Sequence, residues 1–303
     1  MNDNNEIKLF PYMFDAVRVL EKCCGTASSD SESSAFRFPI AKSEVYNETW
    51  LLRLVLAFIH DLEFNCVPQD KNETVFLHIR NAVKSQWISE GGLSPVFELE
   101  GATWTDAILG NVELSCLKSD RHSKSDKKTK RAIKLSDQDD VGVVIIEAKV
   151  GSDLDTGVTH ADDYNQVARN IACLARLVMD KKGMASKSAF VVFAPKSKIE
   201  GWSEEKNWID TAPKIIEDQK NERESKEKGV GKNKPRSFRC DLNNERFNKE
   251  RFFNAVKVIA DQSIILSWEW ILEFIKYHTH AHKDFSRLEK YYTTTKKIYG
   301  IKE

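Results

Sequence analysis

Apolar residues recur at helical spacing through residues 8–24, KLFPYMFDAVRVLEKCC, and the Ser-rich run GTASSDSESSA follows. This pattern predicts a separable helical arm and its connector. From Ser43, the segment SEVYNETWLLRLVLAFIHDLEF places Leu51, Leu52, Val55 and Ile59 on one stripe. It predicts a long amphipathic helix that Ser43 is able to cap. A second helix is predicted over residues 72–88. Past Gly91, Gly92 and Pro95 the period falls from 3.6 to 2 in VFELE, TWTDAIL and NVELSCL, which predicts short strands of an antiparallel meander.

Residues 118–134, KSDRHSKSDKKTKRAIK, hold eight Lys or Arg against two Asp. Such a run cannot form a core and is expected as a solvated loop. DDVGVVIIEAKVGSD then reads as a central strand that ends in charged residues. In DDYNQVARNIACLARLVMD, Val167, Ile171, Leu174 and Val178 keep helical spacing, and Asp162 or Asp163 stands near the start. KSAFVVFAPK predicts another strand. The order implies an α/β (α+β) class with a mixed central sheet flanked by helices. The polar stretch 217–239 reads as a mobile loop, and helical patterns near 246–261, 267–278 and 284–298 suggest a small C-terminal helical subdomain. The chain therefore divides into an arm (1–40), a core (41–200) and a C-terminal part (201–303), with no internal repeat.

The 303 residues are 41% hydrophobic and 30% charged, enough for one large domain or two modest ones. The aliphatic run Val143–Ile146 falls far short of the roughly 20 apolar residues of a membrane span, so no membrane association is expected. MNDNNEIKLF lacks the basic and apolar regions of a secretory leader. Cys23, Cys24, Cys66, Cys116, Cys173 and Cys240 show no CxxC or CxH spacing, which fits reduced thiols in a cytoplasmic protein. Lys plus Arg equals Asp plus Glu at 46 each. Zero net charge excludes a uniformly basic binder, and it still allows one basic loop beside acidic groups elsewhere.

Two strands carry the candidate chemistry. Residues two apart in a strand share a face, so Glu147 and Lys149 project together from the end of VVIIEAK, and Asp106 would join them from TWTDAIL. Ionised groups at the end of a buried strand cost desolvation unless they pair or bind an ion. Two carboxylates beside a lysine suit one or two hard divalent cations, with the ammonium facing a phosphate or a water.

At these residues the chain resembles the PD-(D/E)XK nuclease superfamily, which has the restriction-endonuclease-like fold. Asp106 in Trp104-Thr105-Asp106-Ala107-Ile108-Leu109 matches the family's metal-binding Asp, and Glu147-Ala148-Lys149 matches its Glu-x-Lys. The likeness covers residues 44–195: a leading acidic helix, a hairpin bearing Asp, a strand ending in Glu-x-Lys, a helix and a further strand. Tyr164-Asn165-Gln166 is similar to the Gln-bearing motif of many members. Glu48 stands where an auxiliary acidic residue often lies, with Glu44 as the alternate. Thr105 replaces the motif's Pro, and the spacing from Asp106 to Glu147 is long because it holds the basic insertion. Only Cys240 lies C-terminal to the core, so the family's iron-sulfur arrangement is not implied.

The resemblance implies metal-dependent hydrolysis of nucleic acid, DNA rather than RNA, in restriction, phage defence or repair. Asp106, Glu147 and the Ala148 carbonyl would hold Mg²⁺, or Mn²⁺ in its place. Lys149 would orient water or stabilise the transition state, Gln166 would place a water or phosphate, and Glu48 would assist. Lys124, Lys127, Lys128, Lys130 and Arg131 would contact phosphates without sequence readout. A homodimer, or a helicase or ATPase partner subunit, is in keeping with such enzymes.

Other readings stand beside this one. The second is a nucleic-acid-binding subunit of that fold without turnover, against which the presence of all three core residues favours the enzyme, and the third is a protein-interaction scaffold in which Glu147 and Lys149 form a structural pair. His278, His280 and His282 would share a face on a strand, yet their flanks are helical, which spreads them. His160 would stand at the mouth of the site. Trp268 and Trp270 read as core or partner-facing residues.

Overall fold

A computed structural model describes residues 9–23, 41–63, 67–93, 96–97, 103–116, 131–136, 141–154, 164–202, 207–229, 248–279 and 284–301. The chain begins with α1 (Leu9–Cys23), a single turn α2 (Lys42–Val45), α3 (Glu48–Asp61) and α4 (Lys71–Ser85). The helix predicted from Ser43 is broken at Asn47. There the Asn47 side chain accepts the Trp50 N–H at 2.9 Å and starts α3 afresh, because Asn offers the backbone a better cap than continued helix. Asp70 caps α4 in the same way, accepting from the Glu73 N–H.

The strands are β1 (Trp87–Leu93), β2 (Thr103–Gly110), β3 (Val112–Cys116), β4 (Arg131–Leu135) and β5 (Val143–Ala148), and then α5 (Gln166–Val178) leads to β6 (Ala189–Ala194). Helices α6 (Lys196–Gly201), α7 (Trp208–Gly229) and α8 (Lys249–Gln262) precede β7 (Ile264–Ser267), α9 (Trp268–Thr279) and α10 (Phe285–Ile298). Five strands form one mixed sheet in the order β1-β2-β5-β6-β7, antiparallel from β1 to β5 and parallel from β5 to β7. The mixed α/β class is as expected.

The meander is differently composed. Trp87–Leu93, partly assigned to a helix from sequence, is the strand that pairs with β2, and of VFELE only Val96 and Phe97 are described. NVELSCL supplies β3, which leaves the sheet and pairs with β4 as a separate ribbon. The end of the basic run is thus a strand and not a loop: Ile133 is buried, and Lys134 pairs with Glu113 across the ribbon at 2.7 Å. Gly110 makes the β2–β3 turn at φ 106°, where a Cβ would strike the Gly142 carbonyl.

Helices cover both faces. Ala107, Leu109, Val144, Ile146, Val191 and Phe193 pack under α1, α3, α4, α9 and α10. Ile108, Val143, Ile145, Phe190 and Val192 pack under α5, α7 and α8. The expected separable arm is docked: Phe10 and Val17 lie in the core, and the Asp61 carboxylate accepts the Leu9 and Phe10 N–H groups at 2.8 Å. Its connector lies outside the described residues. Beyond residue 201 the chain is likewise threaded into the same body rather than forming a helical subdomain. It supplies β7 to the sheet and helices to both layers. The stretch expected as a loop from residue 217 continues α7 to Gly229, since Glu, Lys, Arg and Gln are good helix formers.

Candidate active site

In β2 and β5 the ladder ends at the pair Ala107–Ile146. One step further the register would set Asp106 across from Glu147, so both strands deliver a carboxylate to the same end of the sheet. In place of the next backbone bond, Asp106 Oδ2 accepts the Ala148 N–H at 2.7 Å. An extended residue directs its N–H and C=O to the same edge, so the Ala148 carbonyl faces this gap beside Asp106.

Glu147 and Lys149 are both buried, 5% and 8% exposed, at the end of an otherwise apolar strand. Glu147 Oε1 takes two donors, Lys149 Nζ at 2.8 Å and Gln166 Nε2 at 2.7 Å. Glu147 Oε2 is buried with no hydrogen-bond partner, a costly state for a charged oxygen. Burial first, and then the charge of Asp106, push Glu147 up to about 7, against the opposing pull of Lys149 and Gln166. Asp106 is also raised, by burial ahead of every other influence, with the Ala148 N–H opposing and the Glu48 charge adding to the rise. For Lys149, burial works to lower the pKa. The charge and hydrogen bond of Glu147, with Glu48 and Asp106 behind them, outweigh burial and raise it. The ammonium is therefore held charged and cannot act as a free base near neutral pH.

Gln166 reaches the site because Asn165 caps α5, accepting the Ala168 N–H at 2.9 Å. Helix α5 thus begins at Gln166; Asp162 and Asp163, expected near its start, lie outside the described residues. Glu48 opens α3 and comes in from the other helical layer. Its Oε2 accepts the Val150 N–H at 2.9 Å, and both of its oxygens lie 3.3 Å from Ser152 Oγ. Glu44, the alternate, is exposed on α2. All five predicted side chains, Glu48, Asp106, Glu147, Lys149 and Gln166, are therefore brought to one place.

Three further residues hold that place and carry no local sequence signal. Trp268, fully buried, donates its Nε1–H to the Lys149 carbonyl at 2.9 Å, while the Lys149 N–H bonds the Phe193 carbonyl at 2.7 Å. Lys149 is thereby clamped at both backbone groups. Tyr299, just past α10, lies so close over Gly151 that a Cβ there would meet its ring at 2.3 Å. The Tyr299 phenol is raised by burial and by the Glu48 charge, which places it beside that carboxylate. Ser152 is the third, through its bonds to Glu48.

Among the described residues no group of three or more His, Cys, Asp and Glu side chains stands ready for a metal. A cation would rest on Asp106, Glu147, the Ala148 carbonyl and waters, an all-oxygen set of the kind Mg²⁺ takes. The unpartnered Glu147 Oε2 fits that use. Lys124, Lys127, Lys128 and Lys130 lie outside the described residues, and Arg131 opens β4, its backbone paired with Cys116. His160, His280 and His282 are also outside them, and His278 packs its ring on Phe274 at 4.3 Å. Trp270 stacks on Phe274 at 5.1 Å as a packing residue. Among the described residues no helix is long and apolar enough to cross a membrane. No family model, no curated protein and no solved structure matches the chain.

Proposed function

We propose that the chain is a metal-dependent nuclease of the PD-(D/E)XK type that hydrolyses phosphodiester bonds, with DNA as the leading substrate. The observation that carries the reading is Glu147: a buried carboxylate that keeps one oxygen unpartnered while Asp106, Lys149 and Gln166 surround it. A structural ion pair would be expected to satisfy both oxygens, because an unsatisfied charge in a dry site is destabilising. The sheet order adds support, with two antiparallel strands, the Glu-x-Lys strand, a crossover helix and a parallel strand in succession.

Asp106, Glu147 and the Ala148 carbonyl would hold Mg²⁺ or Mn²⁺. Such an ion lowers the pKa of a bound water and offsets charge growing on the phosphate. Lys149 keeps its proton, so its part is to orient a water or to stabilise the equatorial phosphate oxygens. Gln166 fixes Glu147 through Oε1, and Oε2 is left without a hydrogen-bond partner. Glu48 ties down the turn at Val150 and Ser152, which fixes where Lys149 emerges.

The test uses the full chain with supercoiled plasmid, single-stranded DNA and RNA, in Mg²⁺, Mn²⁺ or EDTA. Cleavage is expected with either cation, none in EDTA, and loss in Asp106→Ala and Lys149→Ala. Cleavage that survives in both variants would overturn the assignment. A wild-type chain that binds nucleic acid but never cuts it would reduce the reading to a binding subunit.

A further inference from the structure

Strands β5 and β6 are parallel, with Ala148 in register with Phe193, so the chain leaves both at one end of the sheet. Open α/β sheets take their ligands outside this carboxyl end. From β5 come Lys149 and the turn behind it, and from β6 come Pro195 and then α6, which carries Lys198. The Lys198 ammonium donates to the Gly151 carbonyl at 3.2 Å and to Asp153 Oδ1 at 2.9 Å. Gly151 is two residues past Lys149, at most about 7 Å of extended chain. The Lys198 hydrogen bond holds the Asp153 carboxyl below its usual pKa, and the charge of Lys149 adds to the fall, so both ammonium groups act on one carboxylate. Trp202, at the end of α6, has Nε1 3.4 Å from Asp153 Oδ1 and packs against the apolar layer of α5. That is the layer whose Gln166 meets Glu147.

The two members of the Lys198–Asp153 pair differ in burial: the lysine side chain is 19% exposed and the aspartate 71%. A carboxylate so far into water adds little to stability and is readily exchanged for another acceptor. An ammonium has three donors, and the Gly151 carbonyl keeps one of them in place. A phosphate oxygen offers the same charge-assisted bond as a carboxylate oxygen. We infer that Lys198 holds a backbone phosphate next to the scissile one, with Asp153 occupying that position in the free chain, so that the site takes a polynucleotide strand rather than an isolated phosphodiester. This inference rests on the nuclease reading and names a substrate contact of that same site.

The experiment measures kcat/KM of the full chain in Mg²⁺ or Mn²⁺ on two labelled strands: ordinary oligo-dT, and an oligo-dT of equal length in which every second linkage is a neutral methylphosphonate, so that each cleavable phosphate has uncharged neighbours. Lys198→Gln removes the charge and still offers the Gly151 carbonyl an N–H. It is expected to lower kcat/KM on the ordinary strand about tenfold and to leave the alternating strand unchanged, while Lys198→Arg keeps most of the rate on both. Equal loss on the two strands would make Lys198 a clamp for the turn alone, and no loss on either would remove it from the site; each result overturns the phosphate contact. Asp153→Ala is expected to leave kcat/KM on the ordinary strand at or above the wild-type value, and a fall would overturn the exchange of carboxylate for phosphate. With wild-type cleavage intact, any of these failures leaves the nuclease reading standing. A wild-type chain that cuts neither strand would overturn both.

Discussion

Strands β5 and β6 run side by side and parallel in the middle of the sheet, and all six residues of each are buried. Strand β6, AFVVFA, stays apolar to its end. Strand β5, VVIIEA, places Glu147 in register with Val192 and then turns to Lys149. At the same depth one strand carries an aliphatic side chain and the other a carboxylate. Packing accounts for Val192, since a sheet covered on both faces reads as a continuous hydrophobic run. It does not account for Glu147, whose burial pushes its pKa up to about 7. A well-packed apolar residue there would be neutral or stabilising. The difference separates what folds the chain from what the chain does.

The largest effect should come from the charged end. Lys149→Ala is expected to slow single-turnover cleavage about 100- to 1000-fold, the range for loss of one preorganised electrostatic donor, with the fold retained because Glu147 can take up a proton. Activity within tenfold of wild type would erase the distinction between the strands. The reverse is expected of β6. Phe193→Ala should cost about 3–5 kcal/mol of stability in urea unfolding, because its buried ring packs edge-on against Trp268 at 5.0 Å. Its cleavage rate per folded molecule should change far less than that of Lys149→Ala.

The pH dependence of stability sharpens the contrast. Glu147 has a folded-state pKa raised from 4.5 to about 7, so the folded chain binds this proton more tightly than the unfolded chain. The stabilisation is fully present below the unfolded value and is lost as pH rises through about 7. Ionisation in place costs about 3 kcal/mol. Thermal melts of wild type should therefore decline between pH 5 and pH 8 more steeply than those of Glu147→Gln. Mg²⁺ should raise the melting temperature more at pH 8 than at pH 6, since a liganding carboxylate must first lose its proton. Parallel melting curves for the two proteins, with no effect of Mg²⁺ at either pH, would make Glu147 an ordinary structural residue.

Much of the geometry of the candidate site was legible in the sequence because each of its parts is local. Glu-x-Lys ends a β-branched run, Asp106 sits in a strand pattern, and Gln166 and Glu48 open helices. The misread elements lack such a local signature. Trp87–Leu93 holds two glycines and a glutamate, so its strand character comes only from pairing with β2. Ile264–Ser267 is four residues long and becomes a strand by lying beside β6. The polar tail of α7 has the composition of a solvated linker and is nonetheless made of helix formers. Trp268 meets Lys149 across 119 residues, and no pattern in the chain reports a contact at that separation.

Trp268 also gives the smallest and most selective way to probe the charged strand end. Its indole N–H is the donor to the Lys149 carbonyl, and its ring packs between Phe193 and Tyr292 at centroid distances of 5.0 and 6.5 Å. Trp268→Phe keeps an aromatic ring there and removes the donor, leaving a buried carbonyl unpaired. The loss should cost about 1–3 kcal/mol of stability. A residue that only packs would stop at that effect. If the bond fixes where Lys149 emerges, kcat should also fall about tenfold while KM stays near the wild-type value, because a misplaced ammonium weakens the transition state more than it weakens ground-state binding. A variant with lower stability and an unchanged kcat would return Trp268 to the apolar side of the comparison, next to Phe193.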